Sequence, residues 1–247
     1  MRPDLITGTS IGAVFGALAA TGYASADIEE LFGDLDARQV LWMARPRPSK
    51  TGLVDLRGLM SLMGDLLPTS FSDLATPFAC VSTDLVSGER VVHFEGDLLA
   101  AIRATISIPL AFEPVADDGR LLVDGGLVEP VPVPTARLLG ARRVVAVTLN
   151  VVSSRSFSGE SRRRSRKKST ATEPALPEPG RRWDIAANAV DIMERGLAAR
   201  ALADADVVIA PRIEAYTQFS FLEAAPLIAL GEEAAEERLP QILRLLA

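Results

Sequence analysis

One histidine, one cysteine and an aromatic content of 5% narrow the chemistry open to this 247-residue chain. Cys80 has no second cysteine to pair with, and it lies in the apolar run Pro77-Phe78-Ala79-Cys80-Val81. That context marks a buried, inert thiol and a reducing compartment. The first residues, MRPDLITGTS, carry no basic stretch followed by an apolar one, so no signal peptide is expected. No uncharged apolar run approaches the roughly eighteen residues needed to span a bilayer. A soluble, cytoplasmic protein with an aliphatic core is the expectation, holding neither cofactor nor metal.

The net charge of −6 conceals an asymmetry. Between Ser153 and Arg182 stand nine basic residues (Arg155, Arg162, Arg163, Arg164, Arg166, Lys167, Lys168, Arg181, Arg182) against three acidic ones. That segment carries +6 and the remainder −12. It is rich in Ser and Pro and nearly free of apolar residues, so 153–182 is predicted to be a disordered insertion in a single domain spanning 1–247. Its basic tract, 155–168, suits either plain solvation or docking on an anionic membrane at the inner face, where each Lys or Arg contributes about 1 kcal/mol. The acidic body, and the lack of aromatics among the basic residues, argue against a nucleic-acid partner. Oligomeric state leaves no signal.

The most informative stretch is Gly8-Thr9-Ser10-Ile11-Gly12, which runs from a short apolar strand (Pro3 to Thr7) into an apolar helix (Ile11 to Ala20). A serine on so tight a strand-to-helix turn is held in strained backbone geometry. Gly8 and Gly12 are read as positions where any side chain would clash with the neighbouring strand or helix. The helix start turns its free N–H groups, that of Ile11 among them, toward any oxyanion formed beside Ser10. His93 lies at an alternating position of a predicted strand and precedes Asp124, which breaks the Ser…Asp…His order of α/β-hydrolases. A structural role is expected for it, and without histidine the base must be a carboxylate.

Further along, helices are predicted over Ala26 to Leu35 (capped by Ser25 or Asp27) and Asp55 to Leu67, separated by a loop at Ala44 to Thr51. Strands at Phe78 to Leu85 and Glu89 to Phe94 flank Ser87-Gly88. Asp97 caps a helix through Thr105. Ala111 to Val115 and Leu121 to Val123 form a hairpin turning at Asp117-Asp118-Gly119. Val131 to Leu139 is helix-like, and Arg143 to Leu149 has the continuous apolar text of a parallel strand. A helix at Asp184 to Ala203, a strand at Val207 to Ala210 and a helix from about Leu222 complete the chain. The alternation predicts a three-layer α/β/α sandwich with a mainly parallel central sheet.

Three blocks in this order resemble the patatin-like phospholipases, and most closely the bacterial branch related to neuropathy target esterase. They are the elbow Gly8 to Gly12, the stretch Ala104-Thr105-Ile106-Ser107-Ile108-Pro109 with Phe112-Glu113-Pro114-Val115, and Asp124-Gly125-Gly126 followed by Pro130-Val131-Pro132. The resemblance covers most of the chain outside 153–182. It implies a lipid acyl-ester hydrolase with a serine–aspartate dyad, Ser10 as nucleophile and Asp124 as its partner, with Gly125 and Gly126 letting the turn bring the aspartate in. It also implies a glycine-rich oxyanion loop ahead of the elbow. The nine residues before Ser10 make one strand only, so an N-terminally incomplete domain is expected, with apolar surface uncovered at Ile11, Val14, Phe15 and Leu18. The alternative reading is a catalytically silent module of the same fold that binds lipid or a protein partner.

Overall fold

The computed structural model describes residues 2–33, 37–47, 52, 54–149, 182–213, 216 and 223–246. The expected insertion at 153–182 falls outside these residues, apart from Arg182 at the start of a helix.

A fully buried strand, β4 (Phe78–Asp84), organises the site. Its neighbour β1 (Ile6–Thr9) runs parallel to it, with Thr9 opposite Val81. On β4's other edge β5 (Arg90–His93) runs antiparallel across Cys80 to Thr83. Strand β7 (Arg120–Asp124) pairs antiparallel with Ser82 to Asp84. Because β5 overlaps the registers of both β1 and β7, those two strands must share the opposite edge of β4, meeting end to end. A short β6 (Val115–Asp117) closes a hairpin with β7 through Asp118 and Gly119, both at positive φ (41° and 78°). That is the left-handed pair a two-residue hairpin loop requires. The parallel pairings join β1 to β4, and β8 (Val145–Val147) to β9 (Val207–Ile209). The antiparallel ones are the hairpins β4–β5 and β6–β7 and the long-range pair β4–β7, so the five-stranded sheet is mixed.

Helices cover both faces. Alternation along β1 turns Ile6 toward α1 (Ile11–Thr21), whereas Thr7 and Thr9 reach the other side and donate hydrogen bonds to the carbonyls of Pro132 (3.1 Å) and Glu129 (2.8 Å). One core gathers Val14, Ala17 and Leu18 of α1 with Met63 of α4 (Arg57–Leu66), Phe78 and Cys80 of β4, and Leu98 and Ile102 of α5 (Leu98–Thr105). A second joins Val133 and Ala136 of α6 (Val133–Leu138) to Ala146 of β8 and to Ala198 and Ala201 of α7 (Arg182–Leu202). The result is an α/β/α sandwich.

Local signals explain the boundaries. Gly22 at φ 115° caps α1 by donating to the Leu18 and Ala19 carbonyls. Asp27 accepts from the Ala24 amide at 2.7 Å, so it, and not Ser25, completes the start of α2 (Ser25–Phe32). Asp97 caps α5 by accepting from the Ala100 amide at 2.9 Å. After α3 (Ala37–Met43), the expected loop and Asp55, the first residue of the expected helix, instead contribute to a short antiparallel ladder, β2 (Arg45–Pro46) against β3 (Val54–Asp55). Asp55 is drawn out of the helix, where its carboxylate accepts from the Arg57 amide at 2.9 Å.

Two steric expectations are corrected. Val14 and Leu18 are fully buried, because α1 turns that stripe to the sheet; only Ile11 and Phe15 remain about 40% exposed. Phe15 is packed edge-on against Phe32 of α2 (centroids 5.5 Å apart). Gly12, for its part, has open space where a Cβ would be, since it faces outward from the first turn of α1.

Candidate active site

Ser10 is the joint between β1 and α1, with φ 55° and ψ −131°. A non-glycine residue there carries strain on the order of 1–3 kcal/mol, which the surroundings must hold. Two features hold it. At Gly8 a Cβ would come within 2.5 Å of Ala13 Cα, so only glycine lets the helix fold back on the strand this closely. From α5, Thr105 Oγ1 accepts the Ser10 amide at 3.0 Å while its own proton goes to the Val81 carbonyl. The elbow is thus tied to β4 through one buried hydroxyl.

Asp124 arrives from the opposite direction at the end of β7. Its amide donates to the Ser107 carbonyl (2.9 Å), and its carbonyl accepts from Thr83 Oγ1 (2.8 Å). One carboxylate oxygen, Oδ1, accepts the Gly126 amide at 2.8 Å. The other, Oδ2, accepts the Ser10 hydroxyl at 2.5 Å. That length is typical of an O–H donor facing an ionised acceptor. Gly125 is required by proximity: a Cβ there would lie 2.2 Å from the Val81 carbonyl oxygen. Burial pushes the Asp124 carboxyl up to about 6, the bonds from Ser10 and Gly126 opposing that rise. An aspartate poised so near neutrality is a far better proton acceptor than one at the ordinary value of 3.8.

Ser10 Oγ is turned to Asp124 and does not cap α1. Ile11 and Gly12, the first two residues of α1, follow directly on Ser10, and Gly12 is exposed with open space where a Cβ would be. His93 is elsewhere. Its Nε2 is 2.7 Å from the hydroxyl of the fully buried Ser82, and burial lowers its pKa. Burial likewise pushes the Cys80 thiol far up, leaving it protonated and unreactive.

Three contributors are absent from the sequence reading. Thr105 belongs to a block singled out there, but nothing in the text marks its hydroxyl as the elbow's anchor. Glu129 is buried, and its carboxylate accepts from Arg90 (2.6 Å) and from the amide and hydroxyl of Thr135 (2.7 and 2.9 Å). Since its carbonyl holds Thr9, this cluster braces the strand that presents Ser10. Glu194 of α7 reaches the Asp-Gly-Gly turn from a distant part of the chain.

Residues 1–137, more than half of the chain, match the Patatin-like phospholipase family, and the chain belongs to it. An uncharacterized NTE family protein of Mycobacterium tuberculosis is 35% identical over 146 residues, 59% of this chain and 40% of that protein. A putative patatin-like phospholipase domain-containing protein of Caenorhabditis elegans is 32% identical over 155 residues, 60% of this chain and 14% of its own length. Patatin-like phospholipase domain-containing protein 7 of Rattus norvegicus is 30% identical over 157 residues, covering 58% and 11%. The chain spans 40% or less of these curated relatives. Among the described residues, no helix is long and apolar enough to cross a membrane.

Proposed function

We propose that the protein hydrolyses lipid acyl esters through an acyl-enzyme on Ser10, with Asp124 as general base. The observation that carries this reading is the 2.5 Å bond from Ser10 Oγ to a buried aspartate at a strained strand-to-helix elbow. Asp124 Oδ2 takes the hydroxyl proton as Oγ attacks the ester carbonyl. The Ile11 amide at the start of α1 donates to the oxyanion, helped by the field of the helix N-terminus. Collapse of the tetrahedral adduct expels the alkoxide, which receives the proton from Asp124. Water then attacks the acyl-Ser10 ester by the same route in reverse, giving the fatty acid and free Ser10. Family membership supports a phospholipid, lysophospholipid or related lipid ester as substrate.

A fluorophosphonate probe tests this chemistry directly. It should add one phosphonyl group to the peptide carrying Ser10 in the wild type and none in Asp124→Asn. Equal labelling of both would separate Ser10's reactivity from Asp124 and overturn the dyad.

The basic tract at 155–168 is proposed as the membrane contact that brings this site to its substrate at an anionic, inner-face surface. Deleting 154–179 should leave hydrolysis of a soluble ester unchanged and reduce binding to phosphatidylserine vesicles. Wild-type binding should fall at high salt. Equal vesicle binding by deletion and wild type would contradict it.

A further inference from the structure

We propose that Glu194 is a positioning residue of the dyad, a second carboxylate set against the Asp-Gly-Gly turn whose charge fixes how strongly Asp124 draws the Ser10 proton. This rests on the hydrolase reading above and adds a group to it.

The geometry is tight. A Cβ built on Gly126 would lie 2.6 Å from Glu194 Oε1 and 3.1 Å from Asp124 Oδ1. Both carboxylates thus border a space that one methyl group would fill, and Gly126 is the residue that keeps it clear. Glu194 cannot drift from it easily. Ala198, one turn further along the same face of α7, is fully buried in the second core.

Among the described residues, the charges around the pair have partners of their own. On α7 itself, Asp191 is engaged by Arg195 at 2.5 Å. Across from α7, the Glu129 carboxylate is closed by Arg90 and Thr135, and Arg137 of α6 is bound to Asp206 at 2.8 Å. Glu194 is pushed up to about 7 by its burial, by the charge of Asp124 and by that of Asp191, in that order. Asp124, at about 6, thus ionises while Glu194 still holds its proton, and the two charges oppose each other only once Glu194 ionises near 7.

The consequence is differential. Above about pH 7, with both carboxylates ionised, like charges face each other across Gly126. When Asp124 accepts the Ser10 proton, one of those charges disappears, so the repulsion is relieved as the transition state is approached. Replacing Glu194 with a neutral group removes that relief and leaves Asp124 a weaker base.

The experiment uses the 247-residue chain as wild type, Asp124→Asn, Glu194→Gln and Glu194→Asp. Carboxyl ¹³C NMR follows the Glu194 titration, and hydrolysis of p-nitrophenyl butyrate gives kcat and KM against pH. Asp124→Asn should move the Glu194 midpoint down by about one pH unit, and Glu194→Gln should lower kcat about tenfold above about pH 7, with KM unchanged, and leave it level with wild type near pH 6. Glu194→Asp, which keeps the charge, should restore most of that kcat. A Glu194 midpoint identical in wild type and Asp124→Asn overturns the proposal, whatever the activity. A moved midpoint with kcat unchanged at every pH overturns the catalytic consequence. A moved midpoint in a chain whose wild type hydrolyses no ester sustains the coupling and overturns the hydrolase reading instead.

Discussion

Thr9 and Asp124 occupy consecutive registers on one edge of β4, Thr9 opposite Val81 and Asp124 opposite Ser82. Strands β1 and β7 approach from opposite directions and stop where they meet. The residue after Thr9 therefore faces the last residue of β7 across a hydrogen bond, although 114 positions separate Ser10 from Asp124. The Ser10–Asp124 hydrogen bond follows from sheet register, and it should respond to whatever disturbs that register.

Glycine substitutions test this most simply. Gly125→Ala places a methyl against the Val81 carbonyl, inside contact distance, and must push β7's end away from β4. A loss of about 1–3 kcal/mol or more is expected, the usual range for overpacking. Gly12→Ala meets open space and should melt no lower than wild type. Thermal melts of the two variants decide the matter; a Gly125→Ala protein as stable as Gly12→Ala would contradict the close approach.

His93→Ala separates structure from chemistry. The imidazole partners Ser82, which is fully buried, so its removal leaves that hydroxyl unsatisfied, at a cost of about 1–3 kcal/mol. Turnover should remain within a few-fold of wild type. A fall of about 10³ or more, with the fold intact by circular dichroism, would make His93 a base after all.

Stability should depend on pH in a definite direction. Asp124 and Glu194 bind protons more tightly in the folded protein, at about 6 and about 7, than at their ordinary values of 3.8 and 4.5. Their contribution is complete below about pH 4 and is lost as pH rises through 6 to 7. His93, whose pKa burial lowers, works oppositely: its contribution is present above its ordinary 6.5 and is lost as pH falls. Glu194→Gln should therefore melt higher than wild type at pH 8 and level with it near pH 4. A difference that does not change with pH would contradict the burial of this carboxyl.

Much of this was legible before any coordinates. The elbow, the hairpin turn at Asp118-Gly119 and the cap at Asp97 are local, each set by the φ or hydrogen bonding of one or two residues, and local signals survive in text. Gly8 and Gly12 look alike in the motif, yet one is packed against Ala13 and the other faces open space. Nothing local distinguishes them. Thr105, Glu129 and Glu194 were illegible for a related reason. Their parts depend on which carbonyl or carboxylate the fold brings opposite them, and Glu194 reaches Gly126 from 68 positions along the chain.

The most direct measurement is kcat/KM for a short-chain ester in Ser10→Ala, Asp124→Asn and the double variant. The carboxamide introduced by Asp124→Asn keeps an oxygen that can accept the Gly126 amide, so the turn is kept while the base is lost. Each single substitution should remove essentially all activity above background, and the double should be no slower than either, because the two groups act as a unit. A double variant slower than each single by the product of their separate losses would show that Ser10 and Asp124 act independently, and would contradict the dyad.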